Sequence, residues 1–306
     1  MPTSSRAVLT WLLDADPALR WQVRRDLAGE SAAAVAADRA RVAAEGWGAA
    51  LLARQRADGA WAHESFPVWQ TTLNAMVLLQ DFGLDPAGPH ARTVVERLDR
   101  GFTWGPEFGD LPFFEGEVEP CINGRVLAVG AYFGRPSARL ADRLLGEQLA
   151  DGGWNCEAER GSVRSSFHST ICVLEGLLAY EAACGPSAPI TAARVRAHDY
   201  LLARGLFRRL ATGAVVDRAW TRFAWPAGWH YDVLRGLDYL RRAAVAPEPR
   251  AAEALALVAR RRHQNGRWPR GVVHEDPVGL AMEGPRGTAS RWITFRALRV
   301  LDWAGA

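Results

Sequence analysis

The chain has 306 residues, 49% of them apolar and 23% charged, an ordinary balance for a protein that buries a sizeable core. All 37 basic residues are Arg, which excludes a Schiff-base lysine and a phosphate-loop lysine. Against 34 acidic residues they leave a formal charge of +3, too little to point to nucleic acid. The Arg runs at 208–209, 241–242 and 260–262 read instead as solvated helix faces.

From the N-terminus, the apolar run 7–13 is too short and too soon interrupted for a signal peptide or a membrane span. Four Cys make no disulfide framework, so the expected location is the cytoplasm, with reduced thiols. Helical periodicity dominates from there on, and Gly and Pro collect in short clusters between helical segments. No linker is long enough to separate domains, so the expectation is one all-α domain over 1–306.

Six more polar helices are expected at 6–13, 31–56, 89–99, 136–150, 191–204 and 248–262. Six more apolar ones alternate with them, starting near Pro17, Pro67, Pro120, Ser166, Pro226 and Ser290, residues that a first helical turn accepts. Three polar helices end alike: ALLARQRADGAW at 50–61, RLLGEQLADGGW at 143–154 and LVARRRHQNGRW at 257–268. In each tail Gly ends the helix in the left-handed conformation, Asp or Asn caps the turn, and Trp packs back on the helix just ended. Repeated helix pairs stack into an open solenoid or close into a ring with the apolar helices inside.

Aligned with one another, the apolar helices place Trp21, Trp69, Pro120, Phe167, Trp229 and Trp292 in one column. Gln22, Gln70, Cys121, His168, His230 and Ile293 fill the next, and Asp232 matches Thr170 two places on. Cys121, Cys156 and His168 form a candidate metal site, because thiolate and imidazole are the ligands zinc prefers and three protein ligands leave one position open. His230 and Asp232 are the candidate catalytic residues, Asp232 as ligand, imidazole-orienting partner or general acid. The aromatics Trp21, Trp69, Phe167, Trp229 and Trp292 are candidate substrate-binding residues that would stabilise a cation. Arg291 is a candidate for binding an anionic group or forming a surface ion pair. Glu115, Glu117 and the run His274-Glu275-Asp276 lie in loops near these columns, and Cys172 and Cys184 read as structural.

The Gln-x-x-Asp-Gly-x-Trp tails (Gln55 to Trp61, Gln148 to Trp154) and the blocks DGGWNCE, SSFHSTICVLEGL, GWHYDVLRGLDYL and SRWITFRALRVLDW resemble the squalene-cyclase and protein-prenyltransferase superfamily. The resemblance extends over essentially the whole chain and is closest to short bacterial squalene-cyclase-like or prenyltransferase-repeat proteins. It implies an (α/α)6 toroid of six inner and six outer helices around a central cavity. The third tail departs, with Arg262 in place of Gln, and neither the Asp-x-Asp-Asp acid motif nor the Asp-rich magnesium motif is present. Three functions follow as expectations. The first is a cyclase or transferase that takes an apolar, isoprenoid-like substrate in its cavity. The second is zinc-dependent addition or transfer to a thiol-containing substrate. The third is a non-catalytic helical-repeat binding module. No membrane span or nucleic-acid partner is expected.

Overall fold

Capping residues and apolar spacing place the helices largely where the sequence puts them. The computed structural model describes residues 6–305; the N-terminal stretch before Arg6, where the reading of no signal peptide begins, lies outside them. Thirteen α-helices run through the described residues: α1 (Arg6–Leu13), α2 (Pro17–Asp26), α3 (Ala32–Ala40), α4 (Gly46–Leu52), α5 (Val68–Phe82), α6 (Pro89–Gly101), α7 (Pro120–Tyr132), α8 (Ala138–Gly146), α9 (Phe167–Cys184), α10 (Ala188–Leu202), α11 (Val233–Arg242), α12 (Ala252–Arg260) and α13 (Arg291–Trp303). Among them β pairing is confined to isolated bridges. Among the described residues no helix is long and apolar enough to cross a membrane.

Two elements depart from expectation. The segment 31–56 is not one helix: Gly46 takes a left-handed φ of 61°, and the carboxylate of Asp16, which caps α2, accepts the Trp47 N–H at 2.8 Å. The helix expected to start at Pro226 starts seven residues later, at Val233, because Asp232 is its N-cap. Trp229 and His230 therefore lie in the turn before α11 rather than on it.

The chain forms two compact units, each assembled from separated stretches: Met1–Trp47, Leu201–Glu275 and Leu280–Ala306 in one, Gly48–Tyr200 and Asp276–Gly279 in the other. In the first, α2 packs on α1, α3 and α13, and α11 on α12 and α13. Arg20 and Arg24 of α2 both bind the buried Asp38 of α3, at 2.7 and 2.9 Å. In the second, α7 packs on α5, α8 and α9. The α7–α9 approach is close because glycines face each other. A Cβ on Gly124 would stand 2.5 Å from the Cys172 carbonyl oxygen, and one on Gly176 would strike the Gly124 carbonyl. This close contact fixes the start of α7 relative to the start of α9.

The three tails fold as one repeated device. The indole N–H groups of Trp61, Trp154 and Trp268 donate to the carbonyls of Leu51, Leu144 and Val258, each ten residues back, at 2.7–2.8 Å. The same residues' backbone N–H groups donate to the hydroxyls of Thr72, Thr170 and Thr294 on the next apolar helix, at 3.0–3.1 Å. Gln55 and Gln148 donate to the carbonyls of Gly59 and Gly152. Arg262, the departure from the motif, reaches the Gly266 carbonyl in the same way at 3.4 Å. Gly59 and Gly152 need their positive φ, and a Cβ on either would stand 2.5–2.6 Å from the backbone of α6 or α10.

Counted from these threonines, Trp69 and Phe167 stand three residues earlier but Trp292 only two. Arg291 takes the equivalent place, so the expected column is out of step by one at α13.

Candidate metal centre

Cys121 is the second residue of α7, after Pro120, so its backbone N–H has no partner within the helix. Cys156 opens the short 3₁₀ segment Cys156–Arg160, two residues beyond the anchored Trp154. Glu119 is the N-cap residue of α7 and is exposed. One ligand atom from each of Glu119, Cys121 and Cys156 lies within 4.8 Å of the others. The two cysteines expected to share a site are thus brought together, across 35 residues of chain. The third member of the group is Glu119, which sequence reasoning passed over. His168 is half-buried in the first turn of α9 and is not part of the group. The signal available for Glu119 was its place at the cap, two residues before Cys121, which puts both side chains at one helix end.

The electrostatics of the pair are asymmetric. The neighbouring Cys121 holds the Cys156 thiol below its ordinary value, against the opposing effect of burial. Ser169 Oγ, on α9, stands 3.3 Å from that sulfur and accepts the Cys156 N–H at 3.3 Å. Cys121 is driven the other way, first by its pairing with Cys156 and then by burial and by Cys172, Cys156 and Glu119 beside it. Its Sγ lies 3.5 Å from Glu119 Oε2. Of the two sulfurs, the surroundings favour negative charge on Cys156 over Cys121.

Glu117, four residues before Cys121, is 4% exposed. Burial raises its carboxyl to about 7, against the lowering effect of the Val118 and Glu119 N–H groups it accepts and of Arg143, while Glu119 adds to the rise. The unfolded carboxyl titrates near 4.3, so the unfolded chain ionises first as pH rises, and stability falls from about pH 4.3 through about pH 7. Urea unfolding across that range should show this fall in the wild type and a flatter profile in Glu117→Gln; matching profiles would rule the assignment out. Glu115 instead pairs with Arg139 at 2.7 Å.

The other candidates sit in several places. Asp232 is 5% exposed, and both carboxylate oxygens are held by backbone N–H groups, Arg235 at 2.8 Å and Ala224 at 2.9 Å. Burial pushes its carboxyl up, against those two hydrogen bonds. His230 is sandwiched between Trp229 and His274, ring centroids 3.9 and 3.7 Å away. Trp229 is 43% exposed. Trp292 is stacked on Trp225 at 4.3 Å, and Trp21 lies under the guanidinium groups of Arg25 and Arg39. Phe167 packs on Tyr200, and the half-buried Trp69 on Trp104. Arg291 donates to the Trp11 carbonyl at 3.1 Å and pairs with Asp14 at 3.5 Å. Asp276, beyond His274 and Glu275, accepts the Val278 N–H. Cys172 is buried against α7, and Cys184 is exposed at the end of α9. The expected aromatic column thus divides between the two units, each part with its own packing partners.

No protein-family model matches this chain, and no curated relative matches it. A crystal structure of a protein from Actinoplanes is similar over 95% of this chain and 90% of that one, at 20% identity and a TM-score of 0.47.

Proposed function

We propose that this chain is an enzyme of thiol chemistry whose centre takes zinc on Glu119, Cys121 and Cys156. The observation that carries the reading is the convergence of those three ligand atoms within 4.8 Å. Two sulfurs and a carboxylate oxygen are a donor set that suits zinc, and tetrahedral coordination needs such donors about 3.3–3.8 Å apart, within reach of small side-chain rotations. Three protein ligands leave a fourth position for a substrate thiol or a water. When bound, the ion supplies charge that lowers the pKa of that thiol or water.

The chain's own residues prepare the site. Ser169 holds the Cys156 sulfur, and Glu119 stands exposed on the solvent side. The centre works only with reduced cysteines, a requirement that a reducing compartment such as the cytoplasm would meet.

The finer architecture belongs to the same reading: an (α/α)6 toroid whose cavity takes an apolar, isoprenoid-like molecule. It is supported by the three identically bonded tails and by the resemblance of their sequences. Thiol addition or transfer ranks ahead of acid-initiated cyclisation because Asp232, the acid that cyclisation would use, spends both oxygens on backbone N–H groups.

Metal analysis of the purified protein tests the assignment. Wild type should carry about one zinc per chain, Cys121→Ala and Glu119→Ala should lose most of it, and His168→Ala should keep it. Wild-type protein purified without chelators and free of zinc would refute the reading.

A further inference from the structure

We propose that Cys121 and Cys156 also form a reversible disulfide with each other, and that this bond and the metal exclude one another, so that oxidation turns the centre off. The inference rests on the same two sulfurs as the reading above and names what regulates them.

The geometry carries it. The sulfurs lie within 4.8 Å, and a disulfide needs them about 2.05 Å apart with a dihedral near ±90°. One partner sits on a rigid support, the first turn of α7, held where Gly124 and Gly176 bring α7 against α9. The other sits on the segment 155–165, tied down at its two ends: Trp154 donates to Leu144 and Thr170, and the Ser166 N–H donates to the Trp154 carbonyl at 2.8 Å. Between those ties the 3₁₀ turn of Cys156 exposes Glu157, Glu159 and Arg160, so it can shift by the distance the bond requires without moving the core. Cys156 is half-buried, which leaves a path for a small oxidant. The remaining cysteines are placed differently: Cys172 is fully buried on α9, and Cys184 is exposed at its far end.

The reaction balances with a low-molecular-weight disulfide as oxidant. Cys156, on the turn that can shift, attacks one sulfur of that disulfide as its thiolate, forming a mixed disulfide and releasing one small thiolate. The Cys121 sulfur, giving up its proton, then displaces the second small thiol and closes the Cys121–Cys156 bond. Two protein thiols are oxidised and one small disulfide is reduced to two small thiols. Sulfurs bonded to each other carry no thiolate charge and no longer ligate zinc, while zinc holding both thiolates blocks the first attack.

The test uses the full chain, stripped of metal with a chelator and incubated with oxidised glutathione. Free thiols are then alkylated and the digest is read by mass spectrometry. The expected result is a peptide linking Cys121 to Cys156, two hydrogens lighter than its parts and reversed by dithiothreitol. It should persist in Cys184→Ser and vanish in Cys156→Ser. Loading the protein with zinc beforehand should suppress it. Glutathione adducts without the linked peptide, a link from Cys121 to Cys172, or undiminished linkage in zinc-loaded protein would each overturn the proposal. The two ideas fail separately: a chain that binds zinc but forms no Cys121–Cys156 bond refutes only the switch. A chain that forms the bond but never takes zinc refutes the metal reading and the exclusion, leaving a dithiol.

Discussion

Asp238→Ala should lower the stability of the protein by about 3–5 kcal/mol, the usual cost of breaking a buried ion pair by removing one partner. Asp238 is 5% exposed on α11. Both its oxygens lie 3.3 Å from Arg299 Nη2 of α13, and Arg241 binds it at 3.0 Å. Arg299 in turn donates to Asp26 at the end of α2, at 2.9 Å, and its guanidinium lies 4.1 Å from the centre of the Phe295 ring. Arg299 and Asp238 thus join three helices of the first unit, and loss of Asp238 leaves Arg299 paired with the half-buried Asp26.

The same network sets a pH dependence. Burial alone would push the Asp238 carboxyl up, but Arg299 and Arg241, with Arg296 and Arg242 behind them, outweigh it and hold it at about 2. The unfolded carboxyl titrates near 3.9, so the stabilisation is complete above about pH 4 and is lost as pH falls toward 2. Urea denaturation at neutral and acid pH measures both effects. A loss below about 1 kcal/mol at neutral pH would mean that the pair behaves as an exposed one and would refute the assignment.

Trp154→Ala should cost about 3–5 kcal/mol, as expected for truncating a fully buried Trp, and should also abolish zinc binding at the proposed centre. Trp154 has no exposed surface and ties three elements: its indole to the end of α8, its N–H to Thr170 on α9, its carbonyl to Ser166. Cys156 follows two residues later, so its position depends on this anchor. Trp61→Ala supplies the control. Trp61 makes the equivalent bonds to Leu51 and Thr72 and is 1% exposed, but no member of the candidate centre follows it. Both variants should fall by similar amounts in denaturant, while only Trp154→Ala loses zinc under conditions where it is folded. Equal zinc content in the two would break the link between the repeat and the centre.

The helical class and the three tails were legible in the sequence because their determinants are local. The Asp-Gly or Asn-Gly does take a left-handed turn, but α4, α8 and α12 end six or seven residues before Gly59, Gly152 and Gly266 rather than at them, and the Trp that follows reaches back to the helix end. The departure at Arg262 was legible as a difference but not as a replacement; only the structure shows its guanidinium reaching the carbonyl that Gln reaches elsewhere. The start of α11 was misplaced because Pro226 reads as a helix start, whereas Asp232, with a side chain that caps the first turn, decides it. The one-residue slip at Trp292 has a similar cause: apolar periodicity tolerates a shift of one that a hydrogen bond to Thr294 does not.

By itself the sequence determined that the chain is helical and that its Trp-bearing tails repeat, and it raised Cys121 and Cys156 as candidates for one site, because capping, periodicity and residue type are properties of short segments. The tertiary structure alone decided that Glu119 rather than His168 completes the group, that Asp232 is spent on backbone N–H groups, and that His230 stacks against His274. Those outcomes depend on how closely α7 approaches α9 and on where a loop returns, distances set by packing between residues far apart in the chain. A column in an alignment orders positions along helices, but it carries no information about the rotation and separation that bring two side chains within bonding reach.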